Sequence, residues 1–224
     1  MRGMFITCEG PEGSGKSTHS RALAERLRGC GLDVVQTREP GGTPTGEAIR
    51  QLLQHNGAGE SPVAAAEVLL FCASRAQLTT QVIAPALARG AWVVCDRFTD
   101  STLAYQGYGR GFDTRILREL NAFATAGLTP DLTLLFDVDT ATGFERLRTR
   151  TAASQHPATD RFEGEPAAFH EKIRAGFLAL AAAEPYRFHI LDTTRPYGEV
   201  SEQVWEIVAP LLPQGGRGGS GHAG

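Results

Sequence analysis

Apolar and polar positions alternate in blocks along this chain, and the period of the alternation switches between that of a strand and that of a helix. Residues 4–8 are all apolar or β-branched, as in a strand buried on both faces. A glycine-rich turn follows, and residues 16–28 then set Leu23 and Leu27 on one helical face. Residues 33–37 predict a second strand, which leads through a Pro/Gly loop at 38–46 to a short helix carrying Ile49, Leu52 and Leu53. A long helical stretch begins near Pro62, a residue suited to a first helical turn, and continues through Leu69, Leu70 and Leu78; Pro85 is expected to break or restart it. Three more apolar runs, at 92–95, 132–136 and 188–191, predict strands, each separated from the next by at least one helical segment. A last helix is expected at about 199–211. This order implies an α/β fold, a parallel sheet with helices on both faces.

Length fits that picture: 224 residues at 42% hydrophobic suffice for one core, and no repeat or interdomain linker divides residues 1–212. From Pro213 onward half the residues are glycine, so 213–224 is expected to be a disordered tail. One long polar interruption, at 149–165, reads as a surface loop or a lid.

A net charge of −3 supplies no broad basic field, which argues against a nucleic-acid partner. No apolar stretch approaches the roughly 18 residues of a membrane span, and Glu9 interrupts the apolar run near the N-terminus, so neither a membrane partner nor a signal peptide is expected. The expected location is cytoplasmic. Cys8, Cys30, Cys72 and Cys95 fall in no metal-ligand spacing and are expected to be reduced, small core residues. The histidines form no HExxH pair, so no transition-metal site is expected.

The strongest chemical signal lies between the first strand and the first helix. Gly10 to Ser17 reads GPEGSGKS, the GxxxxGK[ST] pattern in its required strand-to-helix context. Only Lys16 and Lys172 among the 22 basic residues are lysines, which makes a chance match rarer still. Glycines let backbone N–H groups converge on phosphate oxygens at a helix N-terminus; Lys16 reaches the outer phosphates, and the Ser17 hydroxyl can ligate Mg²⁺. Gly10, Glu12, Gly13, Ser14, Gly15, Lys16, Ser17 and Thr18 are therefore the candidate ATP-binding residues. A guanine-reading NKxD segment is missing, since Asn56 and Asn121 precede Gly57 and Ala122, and small phosphotransferases become the leading class.

Five segments in register, FITCEGPEGSGKST, TREPGGTP, LLFCASRAQL, VVCDRFTDSTLAYQGYGRG and PDLTLLFDVD, resemble the thymidylate kinase family along nearly the whole chain. The resemblance implies a P-loop nucleoside monophosphate kinase fold with a five-stranded parallel sheet, transfer of the ATP γ-phosphoryl group to dTMP, Mg²⁺ as cofactor, and usually a homodimer. A nucleoside monophosphate is already a dianionic nucleophile at pH 7, so catalysis reduces to positioning and charge stabilisation. A nucleoside kinase would instead need a carboxylate base, a role the residues alone leave open for Glu39 or Asp96.

The same resemblance assigns further residues. Phe71 would stack on thymine, and Arg75, on the same helical face, would donate to its O4, a contact unfavourable for the cytosine amino group. Asp96 would order Mg²⁺ and its water, while Arg97 and Arg38 would hold the acceptor phosphate. Ser101 and Tyr105 would border base and sugar, with Gln106 extending that edge and Glu12 receiving the 3′-hydroxyl. The phosphate loop lacks the arginine that some members carry, so the transition-state cation is expected from the lid. Arg146 and Arg150 share a helical face while Arg148 points away; Arg146 is assigned to adenine, Arg150 to the transferring phosphoryl group, and Arg161 is a second candidate. The competing readings are a related nucleoside or nucleotide kinase, and a nucleotide-dependent interaction module without catalysis.

Overall fold

The structure is a computed structural model that describes residues 2–55, 59–153 and 161–213. Five strands, β1 (Phe5–Glu9), β2 (Val34–Arg38), β3 (Trp92–Asp96), β4 (Leu132–Asp137) and β5 (Phe188–Asp192), make one all-parallel sheet in the order β2-β3-β1-β4-β5. Parallel neighbours require long crossovers, which here are helical. The helices are α1 (Lys16–Gly29), α2 (Pro44–His55), α3 (Ala64–Leu78), α4 (Ala84–Ala88), α5 (Thr99–Thr102), α6 (Thr114–Thr125), α7 (Thr140–Ala153), α8 (Ala167–Ala183) and α9 (Tyr197–Val208).

β1 reads as an unbroken apolar run because both of its faces are covered. Ile6 and Cys8 pack with Leu23 and Leu27 of α1 and Val200 and Val204 of α9. Phe5 points the other way, into a cluster with Leu78, Ile83 and Leu87. A third cluster surrounds α8, where Ile173 and Phe177 meet Leu117, Leu135 and Phe188. Thr7, buried in the middle of β1, exchanges its hydroxyl hydrogen bond with Thr133 of β4 at 2.9 Å, which relieves the cost of burying it.

Two local expectations change, and the one at Pro85 narrows to a restart. The long helix begins at Ala64 with Val63 as its extended cap, so Pro62 lies just before it. Pro85 marks a restart, one of the two expected outcomes: residues Thr79–Ile83 widen into a π-turn, with the Ala84 N–H bonded to the Thr79 carbonyl, and α4 begins with Pro85 in its first turn. The wider turn makes room where a proline ring would meet the carbonyl of the preceding turn. Cys8, Cys72 and Cys95 are buried, but Cys30 is exposed, because it closes the last turn of α1 onto the Arg26 and Leu27 carbonyls at the surface. All four thiols are free.

Among the described residues no helix is long and apolar enough to cross a membrane. The expected disordered tail, apart from Pro213, and residues 154–160 of the polar stretch lie outside the described residues. The chain leaves the carboxyl ends of β1, β3 and β4 side by side, and β1 is where the strand order changes direction, the place where open α/β sheets bind ligands.

Candidate active site

The glycine loop hugs its neighbours closely. A Cβ on Gly10 would lie 2.3 Å from the Phe136 carbonyl oxygen, and one on Gly13, at φ +72°, 2.2 Å from that of Gly143. Only glycine fits either position. Gly15 precedes α1 without a side-chain cap, so the first amides of the helix are left for an incoming anion. Lys16 is 6% exposed; its ammonium donates to the Pro11 carbonyl at 3.0 Å and lies 3.9 Å from Glu12. Burial holds its pKa below the ordinary lysine value, Arg97 adds to that, and Glu12 opposes it. The Ser17 hydroxyl donates to Asp96 Oδ2, while Asp96 Oδ1 and the Ser14 hydroxyl are buried without a hydrogen-bond partner.

Two cavities meet at this loop. One, of about 260 Å³, is lined on the β2–β3 side by Arg38, Phe71, Asp96, Arg97, Ser101, Tyr105 and Gln106. The other, of about 300 Å³, is lined by Ser14, His19, Arg146, Thr193, Arg195 and Tyr197. Gly13, Gly15, Thr18 and Arg150 border both.

Arg97 follows β3 directly and holds a left-handed backbone, φ 69°, uncommon for a residue with a side chain. Its backbone N–H is tied to the Cys8 carbonyl at 3.0 Å. Its guanidinium donates to the Gly10 carbonyl at 3.2 Å, the Ser101 hydroxyl at 3.1 Å, Glu12 at 2.5 Å and the Tyr105 hydroxyl at 2.9 Å. Tyr105 in turn donates to Glu12 at 2.7 Å. Burial alone would raise the Glu12 pKa, but the Arg97 and Lys16 cations and the Tyr105 hydroxyl outweigh it and hold the carboxyl at about 2. Glu12 is therefore ionised throughout the physiological range.

Arg75 stands behind the cavity rather than in its lining, 1% exposed. It donates to Glu39 through Nε at 2.8 Å, to Asn121 at 2.6 Å and to the Phe98 carbonyl at 3.2 Å. The cause is electrostatic: Glu39 turns inward from the end of β2, and stripping the cation from such a pair costs about 3–5 kcal/mol. Arg38 reaches Glu47 at 2.8 Å across the mouth of the same cavity. Arg146 donates to the Thr193 carbonyl at 2.7 Å and the Gly13 carbonyl at 3.4 Å. Arg150 is largely exposed and donates to Glu163 at 2.6 Å, while Arg148 turns outward to Glu145, as the helical spacing predicts. Arg161 does not line either cavity; it is held by Glu67 at 2.6 Å and the Leu53 carbonyl at 3.1 Å.

Phe162, Glu163, Arg50 and Gln54 also line the first cavity; Arg50 and Gln54, four apart on α2, share a helical face that could have been read, whereas Phe162 and Glu163 lie in the polar stretch without periodicity. Glu9 gave a usable signal, a carboxylate at the end of a fully buried strand. It accepts from the Phe98 N–H at 2.7 Å, the Ser101 N–H at 3.3 Å and the Ser101 hydroxyl at 2.6 Å, and so fixes the turn that carries Arg97. Burial and the nearby Asp100 raise its pKa from 4.5 to about 8, against the hydrogen bonds and Arg97. With the folded value raised, the folded state binds the extra proton between pH 4.5 and 8, and stability falls as pH climbs through that window. Urea midpoints at pH 5 and pH 8 are expected to differ less in Glu9→Gln than in the parent; equal differences would remove Glu9 as the source.

Comparison with known proteins agrees with the geometry. A family model described as Thymidylate kinase matches residues 8–204. The chain is 51% identical over 211 residues to the thymidylate kinase of Solidesulfovibrio magneticus, covering 93% of this chain and 100% of that one. It is 48% identical over 208 residues to the thymidylate kinase of Deinococcus radiodurans, with 93% and 97% covered. The solved thymidylate kinase from Ehrlichia chaffeensis is similar at a TM-score of 0.73 and 34% identity over 93% of this chain and 99% of that one. The match spans the glycine loop, the Asp96–Arg97 pair and both cavities, and the chain belongs to the thymidylate kinase family.

Proposed function

We infer that this protein is an ATP:dTMP phosphotransferase, which moves the γ-phosphoryl group of ATP to the phosphate of dTMP and releases dTDP and ADP. The observation that carries the reading is the junction of two cavities at one phosphate loop, with Arg150 bordering both. A donor nucleotide in the second cavity and an acceptor in the first would bring their phosphates together over Gly13 and Gly15.

The loop amides and Lys16 would bind the donor phosphates, and Arg146 would cover the adenine beside Thr193. Arg97 and Arg38 would bind the acceptor phosphate, whose dianion attacks the γ-phosphorus without a general base. Phe71 would stack on the base, with Ser101 and Gln106 along its edge. Arg75 would reach O4 from behind, through the second hydrogen of the Nη1 group that also serves Asn121. Tyr105 would crowd a ribose 2′-hydroxyl, and Glu12, ionised and already an acceptor, would take the sugar 3′-hydroxyl. Arg150, at the start of the 149–165 stretch proposed as the lid, would supply the transition-state cation.

The residues suit Mg²⁺: a hydroxyl and a carboxylate are hard oxygen donors, and the unpartnered Asp96 Oδ1 is an acceptor in want of a donor or a cation. Ser17 and Asp96, the latter partly through water, would hold it, and the bound ion would neutralise charge on the β- and γ-oxygens. A cytoplasmic location accords with these substrates. A homodimer accords with the exposure of large apolar side chains on two packed helices, Leu69 of α3 at 58% and Phe123 of α6 at 88%. Phe123→Lys is expected to halve the mass measured by light scattering; an unchanged dimer, or a monomeric parent, would count against that interface.

A coupled ADP-release assay across dTMP, dUMP, dCMP, AMP and thymidine tests the activity. dTMP should lead, with dUMP slower by about 10- to 200-fold, the discrimination one methyl group provides. Preference for another acceptor, or ATP binding with no turnover of dTMP, would overturn the reading. Arg150→Ala should lower kcat by about 10³-fold or more with little change in dTMP affinity. Near-normal turnover in that variant would return the role to another cation.

A further inference from the structure

Glu67 is a buried charge for which phosphoryl transfer has no direct use. It lies in the first turn of α3, 1% exposed, and donors from the π-turn Leu103–Gly109, from Arg110 and from the turn Arg161–Gly164 converge on its two oxygens. Oε1 accepts from Gln106 at 2.9 Å and from Arg110 Nε at 3.3 Å. Oε2 accepts from Arg161 at 2.6 Å and from Arg110 Nη2 at 3.2 Å. Arg161 also donates to the Leu53 carbonyl in the last turn of α2, at 3.1 Å, and Arg110 reaches Glu165 at 2.7 Å. Charge-assisted bonds to a desolvated carboxylate are short and directional, so this joint fixes the turn that follows Arg161.

That turn contributes a wall of the first cavity. The Arg161 guanidinium lies over the Phe162 ring, 4.6 Å from its centre. Phe162 is 4% exposed, and its ring centre is 5.9 Å from those of both Phe71 and Tyr105. The next residue, Glu163, lines the cavity and accepts from Arg150. Gln106, on the same carboxylate, lines it too.

We propose that Glu67 is a positioning residue for the acceptor nucleotide: through Arg161 it fixes Phe162 as a wall beside Phe71, and through Gln106 it orients a polar group on the cavity edge. The proposal rests on the reading of this cavity as the dTMP site. Glu67 touches no substrate, and its effect passes through side chains that do. With Gln at position 67 the joint keeps its shape and loses its charge: Arg110 retains Glu165, while Arg161 loses the carboxylate that holds it.

Steady-state kinetics of Glu67→Gln, Phe162→Ala and the double variant, with amide exchange over residues 161–165 in the unliganded protein, test it. KM for dTMP should rise about tenfold in each single variant and no further in the double, because two residues acting in one chain of contacts are not additive. KM for ATP should stay at the parent value, and exchange over 161–165 should be faster in Glu67→Gln. Arg161→Gln should reproduce both effects if Glu67→Gln does not fold. The proposal is overturned by an unchanged KM for dTMP, by single effects that multiply in the double variant, or by unchanged exchange. A parent protein without dTMP turnover defeats the acceptor reading instead, and the exchange comparison still decides whether Glu67 holds the turn.

Discussion

The partly buried guanidinium of Arg97 is the constraint around which the site is organised. It leaves the end of β3 in a left-handed conformation and binds the loop after β1 on one side and the helical segment of Ser101 and Tyr105 on the other. β1 and β3 are neighbours in register, Cys8 beside Asp96, so sheet pairing sets the distance over which the cation must reach. Glu12 and Tyr105 supply the compensation that a desolvated charge requires.

The same device recurs. Glu9, Glu39 and Glu67 are buried carboxylates at or near the carboxyl edge of the sheet, and each binds donors from elements distant in sequence. Arginine suits these contacts, since its planar fork serves two or three acceptors at once, as Arg75 and Arg97 do. The loops around the cavities are therefore held by hydrogen bonds to buried carboxyl groups as well as by apolar packing.

What the sequence made legible was whatever is local or periodic. All five strands, α1 and the phosphate loop follow from runs, spacing and glycine placement, and the Arg146–Arg150 face follows from helical geometry. Pro85 signals the restart but not the π-turn before it, in which Ile83 packs with Leu87 in a cluster no short window contains. Arg75 and Arg161 were legible as cations but not in their partners, since Glu39 lies 36 positions from Arg75 and Glu67 lies 94 from Arg161. Phe162 sits in a polar stretch without periodicity, and only the fold brings it against Phe71 and Tyr105.

The scarcity of lysine has a chemical consequence. Of the two side-chain amines in the whole chain, one sits exposed on α8 and the other is enclosed in the phosphate loop, where burial favours its uncharged, nucleophilic form. An acylating or aldehyde-bearing nucleotide mimic delivered to that loop would find a single amine within reach. The electrophile would thus mark the catalytic pocket by composition alone, against a background of guanidiniums that do not react.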